Sequence, residues 1–176
     1  MVLQYNTGKV VNMTELKITW NYGRGNMQID ADVFLSMRNV AKVRKLLNII
    51  RESDTPEQEK VLRDHIEQLL SATVGAKKAY ANRAVDWGTR VVEEQQKLEK
   101  IQSELERVIA HRNVQTRNSP PWKYWNEQVK EIKSRVKQQK ERVRFAESQK
   151  RDWTNNFKTV QRNEAFCKKL LSEVFG

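Results

Sequence analysis

The chain has one cysteine, two histidines, three prolines and six glycines in 176 residues. Each shortage excludes something. A single thiol, Cys167, cannot build an internal disulfide framework and suits a reducing compartment. So few glycines and prolines argue against an all-β fold or a long disordered linker. His65 and His111 stand at opposite ends of a long helical pattern, no Cys-His pair has metal-ligand spacing, and no His-Glu-x-x-His run occurs. No stretch approaches the ~18 apolar residues that span a bilayer. The first residues lack the basic-then-apolar pattern of a signal peptide, so a cytosolic, non-membrane setting is expected.

What is abundant is charge. Lys and Arg number 33 against 22 Asp and Glu, a net +11, with 31% of residues charged and five tryptophans besides. Mean hydropathy is −0.81. This is the composition of a protein built from long helices.

The first thirty-odd residues follow a different rule from the rest. Leu16, Ile18, Trp20 and Tyr22 alternate with Lys17, Thr19 and Asn21; after Gly23-Arg24-Gly25 the alternation resumes through Met27, Ile29, Ala31 and Val33. That predicts a β-hairpin with a short glycine loop and one apolar face needing cover. Val10 and Val11 extend a strand in one reading of the start; in another, Met13-Thr14-Glu15 is a start and the first twelve residues are an upstream extension. A first amphipathic helix is expected from about Leu35 to Arg51, with Val40, Val43, Leu47 and Ile50 on the stripe broadened by Leu46 and Ile49. It covers the hairpin. Ser53-Asp54-Thr55-Pro56 ends it and starts the next helix, with Thr55 as N-cap, Pro56 at the first position and Gln58 at capping-box spacing.

From Pro56 to about Arg112 apolar positions recur every three or four residues, including Leu62, Ile66, Leu69, Ala76, Tyr80, Ala84, Trp87, Val91, Leu98, Ile101 and Leu105. Asn113 to Asn118 breaks the pattern, and Ser119-Pro120-Pro121 caps a new helix. There a seam runs from Trp122 through Trp125, Val129, Ile132, Val136, Gln139, Val143, Ala146, Lys150, Trp153, Phe157, Val160, Glu164, Cys167 and Leu171 to Val174, with 13 of its 16 positions apolar. Sustained heptads of this kind are a coiled-coil seam, on a helix ~80 Å long. The expected fold is mainly α: a long antiparallel coiled-coil helical hairpin, with a short N-terminal helix and a small β-hairpin packed at its base. Residues 1–53 carry the β-hairpin and short helix; residues 54–176 form the coiled-coil hairpin, with its tip near 113–121, in one integrated domain overall.

Chemistry is scarce. Gly23 to Gly25 is a turn with no P-loop or Rossmann continuation. Asp30-Ala31-Asp32 pairs two acids on a predicted strand, where Asn26 or Gln28 could help hold a cation, but a third acid is missing and a solvated strand face is the expectation. Asp64-His65 resembles a base with its orienter, without a nucleophile. Cys167 sits on the seam as a small buried hydrophobe. No enzymatic activity, no cofactor and no metal site are expected.

The charge is not spread evenly. Between His111 and Arg151 there are 12 basic and 4 acidic residues, a local +8, while Asp54 to Ala110 carries 9 basic and 11 acidic. Lys130, Lys133, Lys137, Lys140, Arg144 and Arg151 repeat at three- and four-residue steps beside the seam, interrupted by Glu147; Arg135 and Arg142 flank the other side. Such a row suits phosphates, whose condensed counterions it displaces, or an acidic protein surface. Pairing with Glu93, Glu99, Glu104 and Glu106 of the preceding helix is the competing use of these cations. Trp122-Lys123-Tyr124-Trp125 marks the tip: the tryptophans close the seam, while Lys123 and Tyr124, with Arg112 and Arg117, form an aromatic-cationic contact surface. A partner could also extend the polar hairpin face of Lys17, Thr19, Asn21, Arg24 and Gln28. The expected function is a non-enzymatic helical binding protein that contacts nucleic acid, DNA or RNA, or a nucleic-acid-containing complex. The alternative is a protein–protein adaptor or inhibitor of the phage or mobile-element type that occludes a partner's nucleic-acid-binding surface.

Overall fold

A computed structural model of the chain describes residues 17–22, 25–52 and 57–176. The alternative starts, the Gly23-Arg24 half of the loop and the Ser53–Pro56 cap lie outside the described residues. The described chain is mainly helical, and its two long helices pack against each other. Strands β1 (Lys17–Tyr22) and β2 (Gly25–Asp30) precede helices α1 (Ala31–Ser36), α2 (Val40–Glu52), α3 (Glu57–Asn113) and α4 (Pro120–Glu173). No helix among the described residues is long and apolar enough to cross a membrane.

The strands pair antiparallel, with Lys17 opposite Asp30 and Tyr22 opposite Gly25. The alternation does not reach Val33 as expected. Asp30 is the reason: its backbone is extended and its Oδ1 accepts from the Asp32 N–H at 2.9 Å, which caps a helix. Ala31 is then buried at the start of α1 and Val33 points to solvent. The single helix expected from Leu35 is likewise two. Arg38 takes the left-handed conformation at φ 49° and closes α1 by donating its N–H to Leu35 O at 3.1 Å. Asn39 opens α2 by accepting the N–H of Ala41 at 3.0 Å and that of Lys42 at 3.3 Å. Ser119 does cap α4, its Oγ accepting the Trp122 N–H at 3.3 Å, with Pro120 and Pro121 in the first turn where no N–H is needed.

Contacts divide the chain into two compact units, one of residues 1–80 with 156–176, the other of residues 81–155. In the first unit one apolar cluster joins four helices: Ala31 and Leu35, then Val43, Leu46, Leu47 and Ile50, then Leu62 and Ile66, then Cys167, Leu170 and Val174. Each large aliphatic chain buried there is worth ~1.5–3 kcal/mol. Here the α4 seam departs from strict heptads, since Leu170 is fully buried and Leu171 only half so. The end of α4 shares its cluster with α1 and α2 as well as α3, and Leu170 is the residue it buries there completely. Arg44 fastens α2 to this end by donating to Glu173 O at 3.2 Å.

Among the described residues, the second unit is made of α3 and α4 and the turn between them. Every expected seam residue of α3 there is half-buried and none is fully covered, while Val129, Ile132, Gln139, Val143 and Ala146 of α4 are buried. Lys150, counted on the seam by spacing, is exposed. Its long chain carries the ammonium out to water.

Candidate functional site

Side-chain contacts within residues 81–155 fix how the two helices face. Trp87 meets the ring of Phe145 edge-on at 5.8 Å. Gln139 donates to Glu94 O at 2.9 Å and to Glu94 Oε2 at 2.6 Å. Arg135 pairs with Glu104 at 3.0 Å, and His111 stacks on Trp125 at 5.0 Å. Partner numbers rise on α3 as they fall on α4, so the helices run antiparallel.

Antiparallel packing gives each side of the pair a simple composition. Residues one place before the seam on both helices share one side, as Glu104 with Arg135 and Arg90, Trp87 and Phe145 demonstrate; the Arg90 guanidinium lies over the Trp87 ring at 4.7 Å. Residues one place after the seam share the other. There α4 presents Lys123, Lys130, Lys133, Lys137, Lys140, Arg144 and Arg151, all exposed, interrupted by Asn126 and the exposed Glu147. The matching line of α3 reads Val85, Gly88, Val92, Gln95, Glu99, Gln102, Glu106 and Ile109. It has no cation and two acids. The arginines and lysines of α3 between residues 81 and 110, namely Arg83, Arg90, Lys97, Lys100 and Arg107, all fall on the opposite side.

That distribution decides the fate of the predicted cations. Lys130 is held by Glu127 of its own helix at 2.7 Å, an exposed pair of small energy. Arg135 is taken by Glu104, and Arg142 stands close enough to Glu94 to help lower its pKa, after Lys97 and Gln139. Lys133, Lys137, Lys140, Arg144 and Arg151 pair with no described residue. Of the four acids available for pairing, only Glu104 reaches across.

At the tip the expected residues are only partly gathered. Tyr124 is 59% exposed and leans edge-on against Trp125 at 5.1 Å. Lys123 and Arg117 are exposed, but Arg112 is turned onto its neighbour Asn113, donating to Oδ1 at 2.9 and 3.2 Å. His111 was not expected there, although its place one turn before the break was a usable signal. Lys123 belongs to the basic row rather than to the tip alone, as its spacing of seven from Lys130 indicates.

The acidic candidates are otherwise employed. Asp30 caps α1, and Asp32, not Asp64, reaches His65, with Oδ1 at 2.9 Å from the buried Nε2. Sequence proximity made Asp64 the obvious partner, but one helical step places it on the exposed face. Glu164 is nearly buried between Lys168 at 2.7 Å and Lys77 at 2.8 Å, which hold its carboxyl below the usual range. Burial pushes the Cys167 thiol up to about 11. Among the described residues no group of three His, Cys, Asp or Glu is placed to hold a metal ion. Comparison with protein-family models, curated proteins and solved structures finds no match.

Proposed function

We infer that the protein is a non-enzymatic, cytosolic binding protein in which α3 and α4 form a coiled-coil arm that contacts nucleic acid through its basic flank. The observation that carries it is the row from Lys123 to Arg151, seven exposed cations beside a line of α3 that holds two acids and no cation. Folding does not require such a row. Like charges spaced a turn apart, of which Lys130 alone is paired among the described residues, repel one another, so their accumulation favours a polyanionic partner, whose counterions they release. Asp30 and Asp32, the paired acids on the predicted strand, are engaged in capping α1 and in holding His65. The test is binding of labelled DNA and RNA by the full chain and by a variant with Lys130, Lys133, Lys137 and Lys140 each replaced by Glu. Loss in the variant is expected; retention overturns the proposal.

A second reading has its own observation. On the opposite flank Phe145 is 59% exposed beside Trp87 and Arg90, the residue types that anchor protein interfaces. An adaptor or inhibitor using that face would be recovered from the native host in a complex that survives nuclease treatment, and would not bind free nucleic acid.

A further inference from the structure

The basic row is one half of its flank, and the other half has a chemistry of its own. Val85 is 69% exposed and Val92 is 53% exposed, and the interval between them contains Gly88, where an added Cβ would meet nothing closer than the Lys150 side chain at 3.8 Å. Gln95 and Gln102 continue this line. The flank is therefore two parallel tracks, cations on α4 and, on α3, apolar and amide groups from Val85 to Gln95 followed by a stretch that carries Glu99 and Glu106, roughly 8–10 Å apart as packed helices are. Resting on the nucleic-acid reading above, we propose that the flank takes a single-stranded polynucleotide, with phosphates along the α4 row and unpaired bases laid over Val85, Val92 and the glutamines of α3.

Geometry favours a single strand over a duplex. The row from Lys123 to Arg151 is on the order of 42 Å long and advances ~7 Å per cation on average, ~5 Å between Lys130 and Arg144. A duplex strand rises ~3.4 Å per phosphate and winds once around its axis in ~34 Å, so a one-sided straight row meets it over only part of its length. An extended strand can follow the row throughout. The α3 track has no counterpart in duplex binding, where the bases are paired and turned inward. With a single strand, the flat apolar faces of the bases need cover from water, and the exposed valines provide it; the amides can meet base edges. An acidic amphipathic helix has the matching charge but a poor matching surface, because the apolar line is two valines long before it turns to Gln and Glu.

The experiment uses the full chain with labelled 15-nucleotide oligo(U) and oligo(dT) and a 15-base-pair duplex at one salt concentration. Both single strands are expected to bind about tenfold or more tightly than the duplex, and a preference between them would identify RNA or DNA as the natural class. Replacing Val85 and Val92 by Trp adds a stacking platform on the base track without changing charge. It should tighten single-strand binding by about fivefold or more and leave the duplex unaffected. Duplex binding equal to or tighter than single-strand binding, or no response to the Trp substitutions, overturns the proposal while leaving the basic flank as a nucleic-acid site. If none of the three binds and an acidic helical peptide does, both readings fall.

Discussion

Replacing Leu170 by Ala and, separately, Leu171 by Ala distinguishes the packing of α4 in the first unit from the heptad spacing that its sequence suggests. Leu170 is fully buried in the cluster that also holds Leu46, Leu62 and Ile66, whereas Leu171 packs only at its edge. Truncation at 170 removes the transfer energy of three carbons, ~2.4 kcal/mol, and leaves a cavity, for a total of about 3–4 kcal/mol. At 171, where water already reaches the side chain, about 1 kcal/mol is lost. Both substitutions gain the same helix propensity, so that contribution cancels in the comparison. For a chain of this size 1 kcal/mol moves Tm by roughly 2–4 °C, and the two variants should therefore melt several degrees apart. Thermal unfolding followed by circular dichroism at 222 nm gives the answer. An L171A midpoint as low as that of L170A would refute the assignment of Leu170 as the core residue.

Two further predictions concern the buried polar and thiol groups. Glu164 and Glu94 have carboxyls held below their ordinary 4.5, so the stability they contribute is present above that value and is lost as pH falls through the lower folded-state pKa. Melting midpoints taken from pH 7 to 3 should fall below about pH 4.5, less steeply for E164Q than for the parent chain; equal slopes would contradict the pairing with Lys168 and Lys77. Cys167, 5% exposed with its thiol pushed up to about 11, should resist a thiol reagent in the native protein and react fully in denaturant. Rapid native labelling would contradict its burial.

The helices were legible in the sequence because their signal is repeated many times. The seam from Trp122 to Val160 and the Ser119 cap rest on periodicity and on prolines with a single tolerable placement. The short N-terminal elements were misjudged where one polar side chain outweighs a pattern. Asp30 and Asn39 turn the chain by capping, and alternation or helical spacing counted across them ran too far in both directions. Leu170 over Leu171 and Asp32 over Asp64 are decisions of tertiary contact, made by residues distant in sequence. The basic row was readable as spacing, but its lack of partners depended on which side of α3 holds the lysines and arginines, and that required the register of the antiparallel pair.

The central claim is tested most directly by titrating a labelled single strand with the full chain at several salt concentrations between 50 and 200 mM. Seven phosphate contacts give a log–log dependence of affinity on salt with a slope of about −5. The chain should show that slope, and the variant carrying Glu at positions 130, 133, 137 and 140 should lose binding at every salt concentration. A slope near zero, or binding by the variant at the strength of the parent chain, would contradict a role for the α4 row in holding nucleic acid.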